Sequence, residues 1–545
     1  MPQLRDASAF SPYIRASHTD LYQITMAYAY WKAGIHERMA TYELFFRKCP
    51  FGGEYALFGG VADVKQLLQT FGFTTDEIAY FKTQLPHIED AFWDYLATVG
   101  ASEMTVWTMS EGNLVFPREP LVRVHGPQIV GQLLETPLLN ICNYASLVMT
   151  NAARIRQAVG DDKKLLEGGL RRAQGPDGGL SASRYAYMGG FNASSNVLAG
   201  KLYGVPIGGT FAHAFVSSFQ SLDQVPNSGM LKDKEGKERN FLAKVKGCRD
   251  ALLALFPFAD PHNGELAAFI TYAMCYPDAF LALVDTYDTL KSGVVNFLAV
   301  AMALDDFGYQ AKGIRLDSGD LAYLSRQARQ LFAKAAREFL MNNFDQLKIT
   351  ASNDINEDSL YSMAQQGHEI DTFLVGTNLV TCEKQPAFGG VYKLVSYEGA
   401  DGSEVPVMKI SQSMVKILLS GSKNVYRLFL SDGFPVVDLI CCEDEKAPQI
   451  GVPILCRHPF EESKRVRVVP ARVERLDQIL WDKGQTIELP NIHVIRDRAL
   501  CQVASLREDH KRPLNPTPYK VTVSQKLYDL LHNLWQKNQP IETLT

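Results

Sequence analysis

The stretch from Leu165 to His213 concentrates residue types that handle anions and transfer groups. It opens Leu165-Leu-Glu-Gly-Gly-Leu-Arg-Arg-Ala-Gln-Gly-Pro-Asp-Gly178, with the basic pair Arg171-Arg172 beside glycines that allow close backbone approach. A guanidinium there can grip phosphate oxygens in a two-pronged hydrogen bond. The same pair also reads as solvated cations on a turn, and spacing does not decide between the two. Tyr187-Met-Gly-Gly-Phe-Asn-Ala-Ser-Ser-Asn196 follows, with Gly, Ser and Asn at an expected helix start, a composition suited to an anion. Next, Gly204-Val-Pro-Ile-Gly-Gly-Thr-Phe-Ala-His213 reads as a short strand delivering Thr210 and His213 to its end. A lone histidine serves packing or chemistry; no HExxH pattern or partner at ligand spacing makes His213 a metal ligand. Near the N-terminus, Ser17-His-Thr-Asp-Leu-Tyr-Gln-Ile-Thr-Met26 opens a helix, where Tyr22 either stacks on a flat ring or packs the helix.

The elements that must position these groups alternate between strand and helix patterns. Thr136-Pro137 reads as a cap and first helical residue, followed by apolar side chains at steps of three and four, with Gly160 as the stop. Apolar strands are expected at 279–284, up to Arg315-Leu316-Asp317, at 347–351 and at 370–375. Helices are expected at about 293–307, from Leu321 through Phe332, and up to Gly367. Each strand ends in polar or small residues: Asp285, Arg315 with Asp317, Ser352 with Asn353, and Gly376 with Thr377. In parallel α/β sheets and barrels ligands bind outside the carboxyl ends of strands, so this repeated placement is a candidate site. One such residue alone would be explained by helix capping.

The flanks, about 103–126 and 390–470, carry strand patterns broken by tight turns such as Ser431-Asp432-Gly433 and Ala400-Asp401-Gly402. An α/β core bracketed by β-rich ends predicts a second domain assembled from both. The run 225–240, which mixes turn residues with dense charge, reads as a solvated loop or insertion. Arg512-Pro-Leu-Asn-Pro-Thr-Pro-Tyr519 before a helix at about 523–536 reads as an extended arm and a docking helix.

With 545 residues, 46% hydrophobic and 21% charged, the chain can bury a large core. At about 150 residues per domain the length admits three to four domains. A net charge of −5 excludes the basic footprint of general nucleic-acid binding, but leaves room for an anionic substrate held by local arginines. Nine scattered cysteines, with no CxxC, suggest neither a zinc ribbon nor a disulfide framework. The opening Met1-Pro-Gln-Leu-Arg-Asp6 lacks an apolar signal-peptide core, and no apolar stretch reaches the ~18 residues of a membrane span. A cytoplasmic location is therefore expected.

Seven motifs, in order, carry a resemblance. They are Ser17 to Met26, Glu43-Leu-Phe-Phe-Arg-Lys-Cys-Pro-Phe-Gly-Gly53, Leu133-Leu-Glu-Thr-Pro137, Gly169 to Gly178, Gly209-Thr-Phe-Ala-His213, Arg315-Leu-Asp-Ser-Gly-Asp320 and Gly376-Thr377. Together they resemble nicotinate phosphoribosyltransferase, most strongly its long animal-type form, from about residue 15 to the Asn515-Pro-Thr-Pro-Tyr519 segment. The resemblance implies an ATP-coupled, C–N bond-forming enzyme. It would convert nicotinate and 5-phosphoribosyl 1-diphosphate to nicotinate mononucleotide and diphosphate, the first step of NAD synthesis from nicotinate. It implies that His213 becomes phosphorylated, that Tyr22, Thr210 and Arg315 contact nicotinate, and that Thr377, with Gly376 and Arg171, contacts the phosphoribosyl donor. Which of Arg171 and Arg172 reaches phosphate stays open. Mg2+ is expected with the diphosphate and ATP; Asp285, Asp317 and Asp320 are candidates to touch it, and no ligand set is assigned.

The implied fold is an irregular α/β barrel of the type II phosphoribosyltransferase kind, with a β-rich sandwich built from both ends of the chain. That reduces the count to residues 1–135 and 386–470 for the sandwich, 136–385 for the catalytic barrel and 471–545 for a C-terminal extension. The family is dimeric, with the N-terminal tyrosine reaching the neighbouring subunit's site, so a homodimer with a shared site is expected; neither nucleic acid nor membrane is expected as a partner. Two rivals share the scaffold: an enzyme acting on nicotinamide, and a non-catalytic nucleotide-binding protein.

Overall fold

A computed structural model describes residues 11–409 and 417–538; the opening residues 1–6 lie outside this range. The chain divides into two compact units. One comprises Met1–Ala153, Met188–Gly190 and Cys382–Thr545, the other Arg154–Tyr187 and Phe191–Thr381.

The second unit is built on short apolar strands separated by helices, a spacing that suits parallel pairing through helical crossovers. Six strands form one sheet in the order Leu281–Leu283, Gly313–Leu316, Lys348–Ala351, Thr372–Val375, Lys164–Glu167 and Ala193–Ser194. Every pairing in it is parallel. All six carboxyl ends consequently lie along one edge. Helix Val294–Asp306 is buried along nearly its whole length, as its sequence VVNFLAVAMALDD requires. Helix Leu321–Phe339 is amphipathic, burying Leu321, Ala322, Ala328, Phe332 and Ala335. A π-helical turn, Thr289–Gly293, precedes the buried helix; a Cβ on Gly293 would come within 1.8 Å of the Val284 carbonyl oxygen, so only glycine lets this turn lie against the strand end.

Two local expectations change here. Residues 204–213 form no strand: a single bridge joins Ile207 to Ser194, and His213 opens the short helix His213–Ser217. Pro206 and three glycines among these residues break the ladder. The charged run at 225–240 is ordered as a left-handed turn at Pro226–Gly229 and a hairpin, Met230–Lys232 with Glu238–Asn240, because Asp233 and Gly236 close a tight turn.

The first unit is dominated by β-structure. A seven-stranded antiparallel sheet runs in the order Glu404–Pro406, Gly390–Glu398, Met39–Phe46, Val122–Pro127, Thr105–Met109, Asp477–Asp482, Gln485–Thr486, so that both ends of the chain contribute. A six-stranded sheet takes all its strands from the C-terminal part, including Arg472–Arg475 and Val521–Val523. Four strands beyond residue 471 thus join these sheets, and the segment belongs to this unit rather than forming an appended extension. Arg475–Asp477 carries the chain from one sheet to the other, which a tight sequence of two short strands disguises. Helix Glu135–Val159 runs to Gly160, which adopts φ +82° as a helix stop.

Candidate active site

Two strand ends and the loop before His213 converge on one arginine. Arg315 projects from the Gly313–Leu316 strand, and its Nε donates to Ser352 Oγ at 2.9 Å. Nη1 donates to Thr210 Oγ1 at 3.3 Å and Nη2 to Asp317 Oδ1 at 3.0 Å. Each contact uses one proton, so one remains on each terminal nitrogen, a pair spaced to meet a carboxylate. The fork is rigid because Ser352 Oγ also bonds Asp317. Burial would raise Asp317, but the Ser352 hydrogen bond, the Arg315 charge and nearby His213 outweigh it and hold the carboxyl below its usual range.

His213 sits beside this arrangement and is 42% exposed. Its Nδ1 is 3.1 Å from Thr286 Oγ1, while Nε2 lies 3.5 Å from Asp317 Oδ2 and 3.9 Å from Asp285 Oδ1. Carboxylates accept and cannot donate, so they favour the proton on Nε2 and leave the Nδ1 lone pair facing the Thr286 hydroxyl. Asp285 is itself pinned: Oδ2 accepts from the Asp317 backbone N–H and from Ser318 Oγ, both at 2.7 Å. Its buried Oδ1 has no hydrogen-bond partner and faces the imidazole. Thr210, His213 and Arg315 are thus brought together.

A second group stands at the neighbouring strand ends. Val375 pairs with Glu167 in the parallel register, so Gly376-Thr377 and the turn Gly168–Arg172 leave the sheet side by side. They pack so closely that a Cβ on Gly169 would lie 2.9 Å from the Gly376 oxygen and 2.4 Å from Val380. Thr377 is half-buried at the start of the short helix Thr377–Thr381, and Arg171 and Arg172 are both exposed on their turn. Beneath the turn lies Glu167, 1% exposed, whose carboxylate accepts from the Gly169 N–H and from the Ser183 and Ser194 hydroxyls. Asn196, reached through Ser194 and Ser183, caps helix Val197–Tyr203.

Tyr22 belongs to the other unit, at the second position of helix Leu21–Lys32; it and Leu21 are 45% and 64% exposed. Sequence reasoning missed Thr286 and Glu167. The rule that located Asp285 and Asp317 covers both, since each follows or ends an apolar strand, but Glu167 is hidden beside the more conspicuous arginine pair. Asp320, a metal candidate by sequence, accepts from Tyr323 N–H at 2.9 Å and caps a helix. Among the described residues no group of three His, Cys, Asp or Glu side chains is arranged to hold a metal.

Comparison with known proteins agrees with this layout. Residues 18–143 match the model of the nicotinate phosphoribosyltransferase (NAPRTase) N-terminal domain, and residues 422–531 that of the C-terminal domain. Nicotinate phosphoribosyltransferase 1 of Arabidopsis thaliana is 48% identical over 544 residues, covering 98% of this chain and 96% of the plant protein. The Homo sapiens nicotinate phosphoribosyltransferase is 44% identical over 529 residues, covering 96% and 97%. The crystal structure of human nicotinic acid phosphoribosyltransferase superposes with a TM-score of 0.85 at 42% identity, over 95% of this chain and 99% of that one. A nicotinate-nucleotide pyrophosphorylase from Pyrococcus furiosus, 20% identical with a TM-score of 0.58 over 93% of this chain and 99% of its own, shares the fold. The architecture is accordingly the irregular α/β barrel with a β-rich domain that the motifs imply. Two domain matches, near-full-length relatives and a strand-end arginine and histidine in one constellation place the chain in the nicotinate phosphoribosyltransferase family.

Proposed function

We propose that the protein joins nicotinate to 5-phosphoribosyl 1-diphosphate, giving nicotinate mononucleotide and diphosphate, and so opens NAD synthesis from nicotinate. The observation that carries this reading is the Arg315 fork, held by three protein acceptors with a proton free on each terminal nitrogen. The nicotinate carboxylate is the substrate group that matches it. The pyridine nitrogen already carries a lone pair, so attack at ribose C1 needs no base to remove a proton. The C1–O bond to diphosphate breaks as the C1–N bond forms, and the leaving group carries off the electron pair. The enzyme's work is then alignment and stabilisation of the departing charge. Arg171 or Arg172, with the Thr377 hydroxyl, supplies donors to the phosphoribosyl group on a turn braced by Glu167.

Magnesium enters this reading as a companion of the diphosphate and of ATP, where it neutralises charge. The described carboxylates form no cage of their own, as is usual for Mg2+ carried on phosphates. ATP is the proposed second substrate. With Nε2 facing the carboxylates of Asp317 at 3.5 Å and Asp285 at 3.9 Å, whose charge favours the proton there, Nδ1 of His213 is the nucleophile that takes the terminal phosphoryl group as ADP leaves. The new negative charge then draws nearby cationic side chains and tightens donor binding. A homodimer in which Tyr22 completes a neighbour's site belongs to the same reading and is supported by its exposed ring. So does action in the cytoplasm: cysteines are scattered without a pairing pattern, and no described helix is long and apolar enough to cross a membrane.

The test is product formation by the full chain with the donor and magnesium, supplied with nicotinate or nicotinamide, with and without ATP. Nicotinate mononucleotide should form and ATP should accelerate it. Preference for the amide would reassign the substrate, and donor binding without product would reassign the protein as a binder.

A further inference from the structure

The first unit contains a cavity of about 440 Å3 whose lining includes none of the candidate active-site residues. Its floor is one face of the seven-stranded sheet. Register places Trp107 opposite Arg123, His125 opposite Thr41, and Thr41 opposite Ser396, so polar side chains cross four strands on a single face. The other face carries the apolar Tyr42, Leu44, Val122 and Val124, as alternation requires. A polar face this deeply buried, with Thr41, Arg123 and Ser396 each at most 3% exposed, is costly unless its groups are satisfied.

One is not. Arg123 Nη1 donates to the Lys423 carbonyl at 2.8 Å and the guanidinium lies 4.0 Å above Trp107. Nη2, however, makes no hydrogen bond, although Glu443 Oε1 lies 3.2 Å and Asp477 Oδ2 4.0 Å away. Glu398 and Glu404 also line the cavity. Burial would raise Glu404, but hydrogen bonds from Ser396 and Ser422 hold it below its usual range, which favours the carboxylate. Burial lowers the pKa of His125 and so favours its neutral ring. With Glu443 and Asp477 set against Arg123, and buried Lys423 set against Glu43 at 2.8 Å, the cavity lining holds no further Lys or Arg to match Glu398 and Glu404.

We propose that this cavity is a second ligand site, taking a small amine that carries a neutral acceptor oxygen, such as an amino amide. The ammonium lies between Glu398 and Glu404, the oxygen accepts from Arg123 Nη2, and the hydrocarbon body lies beside Met39 and Trp107. Both requirements come from separate observations, the excess of carboxylate and the orphaned buried donor, and a simple cation or a simple amide meets only one.

Calorimetric titration of the full chain with three probes tests this. Phenylalaninamide should bind saturably at millimolar concentration. Phenethylamine, which lacks the oxygen, and 3-phenylpropanamide, which lacks the ammonium, should each bind about tenfold more weakly or less. Glu398→Gln, an exposed position, should weaken phenylalaninamide by about tenfold with transferase turnover unchanged. Glu404→Gln should do the same while its thermal midpoint shows that it folds. Equal binding of 3-phenylpropanamide, affinity untouched by both substitutions, displacement by nicotinate, or no saturation would each overturn the proposal.

Discussion

At the scale of single residues, Arg315 and His213 make separable demands. Arg315 offers a cation to a carboxylate, and a charge-assisted hydrogen bond of this kind contributes about 1.5–3 kcal/mol, or about tenfold to hundredfold in selection. Lysine keeps the charge but not the planar fork that engages Ser352, Thr210 and Asp317 together. Arg315→Lys is therefore expected to lower kcat/KM for nicotinate and to narrow its advantage over nicotinamide by about tenfold or more; competition between the two bases reads this ratio directly. An unchanged ratio would remove Arg315 from base selection. His213 touches Arg315 only through Asp317, so its loss should leave transfer chemistry in place while ending ATP coupling. In His213→Ala, nicotinate mononucleotide should still form slowly and the rate should no longer respond to ATP. Equal ATP stimulation in variant and wild type would defeat the phosphohistidine reading.

At the scale of elements, the polar residue after each apolar strand was legible because a strand buried on both faces leaves only its ends for chemistry. Asp285, Asp317, Ser352 and Thr377 all lie where that logic puts them. The approach of residues 204–213 was not legible, since a glycine- and proline-rich segment can follow the sheet with a single bridge and still deliver His213. Nor was the layer behind the site. Glu265, on helix Asn263–Cys275, is fully buried and accepts from Ser292 Oγ on the π-helical turn and from Asn296 Nδ2 on the helix beyond it. No periodicity announces such a contact, because Glu265 and its two partners lie on three different elements. Burial, partly countered by these two hydrogen bonds and assisted by the charge of Asp285, pushes Glu265 from 4.5 to about 7. Between those values the folded chain retains a proton that the unfolded chain has lost, so stability falls as pH rises through the window. Glu265→Gln keeps the hydrogen-bonding shape and has nothing to titrate. Its thermal midpoint should fall less steeply than that of the wild type from about pH 5 to about pH 8, and the variant should gain relative stability at the alkaline end. Parallel curves would mean that Glu265 ionises normally.

At the scale of the whole molecule, the interleaving of the two units was legible in outline, as β-rich flanks around an alternating core. Its limits were not. The short strands Arg472–Arg475 and Asp477–Asp482 join different sheets across one intervening residue, and no local pattern marks such an exchange. The units also separate two groups that the proposed chemistry requires together: Tyr22 lies in one, and Thr210, His213 and Arg315 in the other. If Tyr22 serves the site of a second copy, defects in the two groups should complement each other between chains. Consider Tyr22→Ala, which keeps His213, mixed with His213→Ala, which keeps Tyr22. Random reassortment makes half of the dimers mixed, and each mixed dimer holds one site with both native residues, so about a quarter of all sites should recover ATP-stimulated turnover. Tyrosine acting within its own chain gives a different result, because every site then lacks one of the two residues whatever the pairing. The experiment requires only unfolding-free subunit exchange, checked by a mass tag on one variant. Recovery in the exchanged sample, and none before exchange, is the expected outcome; exchange without recovery would confine each site to one chain.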